Sequence, residues 1–189
     1  MYIERFLAEH AADVRGACLE VRDASYVRAF GGAAVEVAEV LDIDPGNPEA
    51  GVIADLGEPG SLPTRRYDCF IMTQTLHLIR RPEVALRNAW EALRPGGVLL
   101  LTVPALSRHH PQPGPSQDFW RYTPAGLAAL LEGVLPEAGT VVIGYGNLLA
   151  CVAFLEGLAA HELRPKELGI HDPHFPLIVG ARVQRPVTA

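Results

Sequence analysis

The sequence predicts an α/β protein with a mostly parallel β-sheet that is covered by helices on both faces. Short apolar runs of strand length alternate along the chain with segments that repeat apolar residues at helical spacing. Two of these runs, Tyr67–Thr73 and Val98–Pro104, are apolar almost throughout, as is typical of central strands buried on both faces. Because no internal repeat and no shift in composition divides the 189 residues, we expect a single domain over residues 1–189.

The N-terminal half is expected to supply one helix and four strands. Ile3, Phe6, Leu7 and Ala11 share one helical face, which predicts a helix over residues 2–13. A dense turn signal, DPGNP at residues 44–48, ends the second strand. The four predicted strands are Ala17–Val21, Ala34–Ile43, Gly51–Asp55 and Tyr67–Thr73.

The C-terminal half continues the alternation of helices and strands. The segment RPGG at residues 94–97 ends one predicted helix, and Thr123 with Pro124 marks the beginning of the next. Between them, the proline-rich segment 105–118 is expected to be a loop. The predicted elements are a helix at Pro82–Leu93, a strand at Val98–Pro104, a helix from Pro124 to Leu131, a strand at Thr140–Tyr145, a helix at Asn147–Leu163 and a strand at Phe175–Val183.

Composition excludes several classes of function. The formal net charge of −6 disfavours a nucleic-acid partner, because phosphate binding requires a basic surface. No apolar run is long enough for a membrane span, and the amphipathic start of the sequence does not resemble a signal peptide, so we expect a cytoplasmic protein without membrane contact. The three cysteines, Cys18, Cys69 and Cys151, are scattered through apolar segments and are expected to be reduced core thiols.

Candidate ligand contacts follow the predicted strands. In open parallel sheets, ligands bind beyond the carboxyl ends of the strands, at the point where the strand order reverses. The segments to consider are therefore Glu20–Tyr26, Asp44–Asn47, Asp55–Leu56, Thr73–His77 and Pro104–Tyr122.

Three segments occur together in an informative order: YDCFIMTQTLHLI at residues 67–79, LRNAWEALRPGGVLLLTVP at 86–104 and DFWRYTPAGL at 118–127. With this series, residues 14–183 resemble the class I S-adenosylmethionine-dependent methyltransferases, specifically their type-11-like small-molecule branch. The resemblance implies a Rossmann-like sheet of seven strands, mostly parallel, with an antiparallel last strand. It also implies S-adenosylmethionine as the cofactor.

The resemblance further implies which residues bind that cofactor. Glu20 stands where the family has an acidic residue near the methionine part, and Asp44 where a carboxylate accepts bonds from both ribose hydroxyls. Asp55 matches the carboxylate that meets the adenine amine. The remaining matches are Leu56, against the adenine ring, and Thr73 with Gln74, at the methionine end.

The first loop departs from the family pattern. The family commonly has an acidic residue followed by two spaced glycines, whereas Glu20 is followed by Val21, Arg22, Asp23 and Ala24. We assign Val21 and Arg22 to the cofactor site by position. A side chain at this point obstructs close approach of the backbone, or needs a backbone conformation that costs ~1–2 kcal/mol outside glycine. The Arg22 guanidinium is left with three alternatives: pointing outward, contacting the ligand, or occupying its place and pairing with Glu20 or Asp44.

Histidines and aromatic residues supply the candidates for catalysis and acceptor binding. His77 follows the fourth strand, where an imidazole with a pKa near 6.5 suits a general base; its alternative is a histidine that bonds to backbone at a helix start. His109 and His110 lie in the long loop and are further catalytic candidates. The resemblance places Trp120, Arg121 and Tyr122 beside the substrate, although Trp120 and Tyr122 are also compatible with core packing. His171, Asp172 and His174 lack a fourth ligand nearby, and we expect no metal site.

The sequence thus favours methyl transfer from S-adenosylmethionine to an oxygen or nitrogen atom of a small metabolite, with the 105–122 region selecting the acceptor. The alternative is a methyltransferase fold whose cofactor site is lost or repurposed, as a non-methylating enzyme or as a binding or partner subunit. A nicotinamide-dependent oxidoreductase is disfavoured, because the G-x-G-x-x-G fingerprint is absent. Expected partners are a small-molecule acceptor and, from the aliphatic first helix, a second copy or a fusion partner.

Overall fold

A seven-stranded sheet runs through the computed structural model, which describes residues 1–109 and 117–187. The strands are β1 (Gly16–Val21), β2 (Val35–Asp42), β3 (Val52–Ile53), β4 (Tyr67–Thr73), β5 (Leu93–Pro104), β6 (Gly139–Tyr145) and β7 (Ile178–Gln184). Their spatial order is β3-β2-β1-β4-β5-β7-β6. Strand β7 is antiparallel to both of its neighbours, and the other neighbouring pairs are parallel. The predicted Rossmann-like sheet with an antiparallel last strand is confirmed.

Helices cover both faces of the sheet. Within the described residues they are α1 (Tyr2–Glu9), α2 (Ser25–Gly31), α3 (Pro82–Ala92), α4 (Pro124–Val134), α5 (Leu148–Leu155) and α6 (Pro165–Leu168). Side chains of α3 and α4 join one buried core cluster, and side chains of α1, α2, α5 and α6 join a second. The central strands separate the two clusters, because successive side chains along a strand point to opposite faces. Accordingly Phe70 and Met72 belong to one cluster and Cys69 and Ile71 to the other.

Strands β4 and β5 form the centre of the sheet, as their continuous apolar sequences predict. Their register pairs Cys69 with Val98 and continues to Thr73 with Thr102. The RPGG segment does not simply separate helix from strand. Leu93 already pairs with Tyr67, so residues 94–97 form an irregular insertion near the beginning of β5. The strand therefore begins five residues before the predicted position.

Several helices differ from the sequence prediction: α1 ends at Glu9 instead of residue 13, and α6 lies in a segment for which no helix was predicted. Helix α2 begins at Ser25, inside a segment that was expected to be loop. The predicted helix over residues 147–163 is shorter: α5 begins after Asn147, whose side chain accepts a hydrogen bond from the Ala150 amide at 2.9 Å, and ends at Leu155. Gly157, with a φ of 81°, turns the chain away from the helix. Helix α4, in contrast, has the predicted Thr123 cap, which accepts a bond from the Gly126 amide at 3.0 Å.

Within the described ranges, no helix has both the length and the apolar character needed to cross a membrane.

Candidate functional site

A cleft of about 770 Å³ opens at the carboxyl ends of β1, β2 and β4. We call it the strand-end cleft. The strand order reverses between β1 and β4, so the cleft lies at the topological switch point where parallel sheets bind ligands. Its volume is in the range of pockets that hold a nucleoside-sized molecule. All eight residues assigned to the cofactor from sequence line it: Glu20, Val21, Arg22, Asp44, Asp55, Leu56, Thr73 and Gln74.

Glu20, at the end of β1, is only 3% exposed and supports helix α2. One carboxylate oxygen accepts a hydrogen bond from the Tyr26 amide at 3.2 Å, and the other accepts one from the Val27 amide at 2.8 Å. These bonds satisfy two amides in the first turn of α2, which explains why the chain turns into a helix here. Burial raises the pKa of Glu20 to about 7, although the two amide bonds oppose that rise.

Arg22 occupies the position of the missing glycine and adopts the backbone conformation that glycine usually provides. Its φ is 78°, its amide donates to the Leu41 carbonyl at 2.7 Å, and its own carbonyl accepts from the Asn47 side chain at 2.7 Å. The backbone at Arg22 is therefore strained, because a side chain disfavours this left-handed conformation. Among the described residues, no hydrogen bond or ion pair joins the Arg22 guanidinium to Glu20 or Asp44. The guanidinium helps to lower the pKa values of Asp23 and Asp42, which share the cleft with it.

The second strand ends at Asp42, one residue before its predicted end at Ile43. Asp42 also lines the cleft, and its carboxylate accepts bonds from the Asp44 amide at 3.0 Å and the Asn47 side chain at 2.7 Å. Burial raises the pKa of this carboxyl, but the hydrogen bonds outweigh burial and the net pKa is lowered. Asp44 follows in the turn and accepts a bond from the Gly46 amide at 2.8 Å. The structure thus offers two neighbouring carboxylates at the end of β2.

Asp55 and Leu56 form the wall beyond β3, and a buried side chain from α3 fixes that wall. Asp55 accepts a bond from the Gly57 amide at 2.7 Å, while Leu56 is buried. The Asn88 amide donates to the carbonyls of Leu56 and Glu58 at 2.9 and 2.8 Å, and its oxygen accepts from the Gly60 amide at 2.9 Å. Because Asn88 holds both ends of this loop, it positions the residues that face the cleft.

The end of β4 supplies the opposite wall. Gln74 has a φ of 45°, and its amide donates to the Thr102 carbonyl at 2.8 Å. Its side chain donates to the Thr102 hydroxyl at 3.3 Å. Arg22 and Gln74 are two of the three non-glycine residues with positive φ in the described chain, and both line the cleft. Backbone strain concentrated in this way is typical of functional sites.

His77 and His109, two of the candidate catalytic histidines, are not among the residues that line the cleft. His77 lies in a short turn after β4, two residues before Ile79, which does line it. The His77 Nδ1 atom is buried without a hydrogen-bond partner in the described structure. Burial lowers the pKa of His77, with a smaller contribution from Asp118 that raises it and one from Arg121 that lowers it further. His109 is exposed, and His110 lies outside the described residues.

The three candidate acceptor-binding residues lie next to His77 and also do not line the cleft. The amides of Phe119 and Trp120 donate to the His77 carbonyl at 3.0 and 3.2 Å, and the Trp120 indole donates to the Ile79 carbonyl at 2.9 Å. Arg121 binds both carboxylate oxygens of Asp118. Tyr122 is 8% exposed, and its hydroxyl is buried without a hydrogen-bond partner in the described part of the chain. This segment therefore covers the His77 turn.

Fourteen residues beyond the eight cofactor candidates also line the cleft, among them Tyr26, Asp42, Arg80 and Arg81. Asp42 could have been found by ending the second strand one residue earlier, at the first acidic residue of DIDPG. Arg81 donates to the Gly57 carbonyl at 2.7 Å and so joins the two walls. Over residues 1–109 and 117–187, no group of three His, Cys, Asp or Glu side chains is arranged to hold a metal ion.

The chain matches the model of a known protein family. The family model for a methyltransferase domain matches residues 6–130, about two thirds of the chain. This range contains every residue that lines the strand-end cleft. No curated protein matches the chain.

Several solved structures share the fold. An S-adenosylmethionine-dependent methyltransferase from Archaeoglobus fulgidus is similar with a TM-score of 0.62 and 11% identity, over 97% of this chain and 93% of that one. The 1,6-didemethyltoxoflavin N1-methyltransferase of Burkholderia thailandensis was solved with 1,6-didemethyltoxoflavin and S-adenosylhomocysteine bound. It is similar with a TM-score of 0.57 and 15% identity, over 98% of this chain and 77% of that one. The cyclase SpnF is similar with a TM-score of 0.58 and 15% identity, over 97% of this chain and 81% of that one. At these identities the similarity establishes the fold.

Proposed function

The chain belongs to the methyltransferase domain family, within the class I S-adenosylmethionine-dependent methyltransferases, and on this basis we propose that it methylates an oxygen or nitrogen atom of a small molecule. The observation that supports this proposal most strongly is the strand-end cleft. Eight residues chosen from sequence as cofactor contacts, from four separate strand ends, line one cavity at the switch point of the sheet.

The donor set of the cleft fits S-adenosylmethionine. The ribose presents two neighbouring hydroxyl groups, and a carboxylate can accept hydrogen bonds from both. We propose Asp42 for this role in preference to Asp44, because Asp42 is the last residue of β2. Asp55 would accept from the exocyclic amine of adenine, and the buried Leu56 side chain would pack on the ring.

Thr73, Gln74 and Arg22 would hold the methionine end. Arg22 and Gln74 both line the cleft, and the Arg22 guanidinium has no ion-pair partner among the described residues. A guanidinium pairs well with a carboxylate, and the cofactor carries one on its methionine part. We therefore assign Arg22 to that carboxylate. Glu20 would act indirectly, by holding α2 in place.

The cofactor, when bound, supplies an electrophilic methyl group on sulfur. The protein's contribution is to orient the acceptor atom in line with that methyl group, to exclude water and to remove a proton from the acceptor. His77 is our candidate for the proton acceptor. Burial lowers its pKa, so its imidazole is neutral and basic near pH 7.

The 105–122 region would select the acceptor. Trp120 bonds to the His77 turn through its amide and its indole, and its half-exposed ring lies beside the Arg121–Asp118 pair, while Tyr122 is buried behind them. Aromatic side chains with few polar groups are typical of pockets for small organic molecules. The acidic net charge also favours a small acceptor over a nucleic acid.

One observation favours the alternative of a repurposed cofactor site. Arg22 places a long cationic side chain in a loop where the family has glycine, and it does so at the cost of backbone strain. The structural neighbour SpnF is a cyclase on this fold. Under this alternative the guanidinium fills part of the cleft, and S-adenosylmethionine does not bind.

Calorimetric titration with S-adenosylmethionine and S-adenosylhomocysteine tests the proposal. We expect binding in the micromolar range. We expect the Kd to rise about 10–100-fold in Asp42→Asn, which removes charge-assisted hydrogen bonds, and to rise less in Asp44→Asn. Glu132→Gln, on the exposed surface of α4, is the matched control and should bind as the wild type does. Absence of binding at millimolar ligand would support the repurposed site.

The choice of acceptor needs a separate assay. Protein that binds the cofactor is incubated with a panel of small alcohols, phenols and amines, and methylated products are detected by mass spectrometry. Methylation of an oxygen or nitrogen in the panel supports the proposal. Products methylated only on carbon would contradict it.

A further inference from the structure

Helix α5 is apolar throughout and carries its large side chains on the outside. Its sequence, LLACVAFL, contains no charged or polar side chain. The residues that face the core are small: Ala150, Cys151 and Ala153 are each about 95% buried. An ordinary surface helix has the reverse arrangement, with large apolar residues inside and polar residues outside. A helix that is apolar all round is normally covered by other protein.

The outward residues form a regular stripe. Leu148, Val152 and Leu155 follow one another at i, i+4 and i+7, which places them along one face of the helix. Leu149 adjoins this stripe. All four are between 45% and 56% exposed. This spacing is the one that two helices use when their side chains interdigitate.

The stripe belongs to a larger apolar area, which we call the α5 surface. Residues that flank α5 are joined to it directly: the Asn147 side chain donates to the Ile170 carbonyl, and the Cys151 thiol lies 3.5 Å from the Phe175 carbonyl. The α5 surface consists of Leu148, Leu149, Val152, Leu155, Leu158, Ile170 and Phe175, each 41–60% exposed.

The area of the α5 surface is that of a protein interface. With residue areas on the order of 200 Å², these exposures amount to roughly 700 Å² of apolar surface. The largest apolar patch on a typical monomer is about 300–600 Å². A standard interface buries about 800 Å² on each partner.

We propose that the α5 surface is the dimer interface of this protein, and that a second copy of the chain covers it. In a two-fold dimer the same surface pairs with itself, which requires no complementary charge, and α5 has none to offer. The two α5 helices would run antiparallel with Val152 nearest the two-fold axis, because it lies closest to the middle of the stripe. This arrangement also opposes the two helix dipoles favourably.

The dimer leaves the strand-end cleft open. The cleft is built on β1, β2, β3 and β4, whereas α5 follows β6 at the opposite edge of the sheet. The inference is therefore independent of the proposed methyl transfer, and cofactor binding serves as a test that a variant is folded.

Sedimentation equilibrium of the full chain tests the proposal. The wild type should have about twice the monomer mass of 20.4 kDa at micromolar concentration. Val152→Asp, which buries two carboxylates at the axis, should raise the dimer dissociation constant at least 100-fold. Val37→Asp is the matched control: Val37 on β2 is 48% exposed, close to the 49% of Val152, and this variant should remain a dimer.

Cross-linking gives a second measurement that does not destabilise the fold. Val152→Cys should form an intermolecular disulfide under mild oxidation, whereas Val37→Cys should not. Because the net charge of −6 makes two copies repel each other, added salt should strengthen the dimer. A monomeric wild type at 100-fold higher concentration would overturn the proposal, as would a dimer unaffected by Val152→Asp. Salt-sensitive binding of a monomer to anionic vesicles through α5 would assign the surface to a membrane instead.

Discussion

Replacing Glu20 by glutamine removes a buried carboxyl group whose pKa is raised to about 7. In the unfolded chain the same group has its ordinary pKa near 4.5. Between these two pH values the folded protein binds more protons than the unfolded chain does. The contribution of Glu20 to the free energy of unfolding is therefore largest below pH 4.5 and is lost as the pH rises through 7.

The two pKa values determine the size of the effect. Because Glu20 is only 3% exposed, solvent screens it little, and the full difference sets the upper bound of the effect. It corresponds to about 3 kcal/mol in total, of which about 2–3 kcal/mol is lost between pH 5 and pH 8. The glutamine side chain has a similar shape and can accept one of the two amide bonds in α2, but it does not titrate. The lost amide bond lowers stability by about 1–3 kcal/mol at every pH.

Urea unfolding at pH 5, 6, 7 and 8 measures this effect. The wild type should become less stable relative to Glu20→Gln by about 2–3 kcal/mol from the lowest to the highest pH. The difference between the two proteins removes the contribution of other titrating groups. If both proteins show the same pH dependence, Glu20 is charged in the folded protein at pH 5 and the reasoning from its burial is wrong.

Three further predictions concern the walls of the site. Arg22→Gly should stabilise the unliganded protein by about 1 kcal/mol in urea unfolding, because it relieves a positive φ. The same variant should bind S-adenosylhomocysteine about tenfold more weakly, because the proposed ion pair with the ligand is lost. Tighter binding would show that the side chain obstructs the cleft. Asn88→Ala should lower the free energy of unfolding by about 2–4 kcal/mol, since it leaves buried backbone groups unpaired. It should also weaken cofactor binding in calorimetry. An unchanged cofactor affinity would contradict the positioning role of Asn88. His77→Gln should lower kcat about 10²–10⁴-fold without changing cofactor affinity. In the wild type, a base with a lowered pKa makes the rate rise with pH below 6.5, and this rise should be absent in the variant. A pH–rate profile equal to that of the wild type would exclude His77 as the base.

The sheet was predictable because its central strands are defined by their own sequences. The central strands are the apolar runs Tyr67–Thr73 and Val98–Pro104. A continuous apolar run of strand length is sufficient to predict a strand that is buried on both faces. The helix cap at Thr123 was predictable for the same reason, since the Thr123 hydroxyl accepts a hydrogen bond from an amide only three residues away.

Helix α2 was missed because its signal is not local. The first turn has no side-chain cap of its own. The Tyr26 and Val27 amides are instead bound by Glu20, which reaches over from the end of β1, and only the Ser25 amide has a nearby partner, the Asp23 side chain at 2.8 Å. The residues near Ser25 do not indicate the contact with Glu20, because that contact depends on how the chain turns from β1 into α2.

The candidate site was predictable to the precision of strand boundaries. The expectation that ligands bind at the carboxyl ends of parallel strands indicated the segments, and the family resemblance picked from them the eight residues that line one cleft. It selected Asp44 over Asp42, because the alternation of side chains carried the predicted strand past its real end at Asp42. Asn88 could not be found in this way, since it acts on a loop about 30 residues away through bonds that only the folded chain forms.

The central claim is that the strand-end cleft binds the nucleoside of S-adenosylmethionine, and a crystal structure of the protein with S-adenosylhomocysteine tests it most directly. We predict that the ribose hydroxyls lie within hydrogen-bond distance of the Asp42 carboxylate and that adenine packs on Leu56 next to Asp55. Electron density for the ligand elsewhere, or an Arg22 guanidinium seated in the cleft with the ligand excluded, would contradict it.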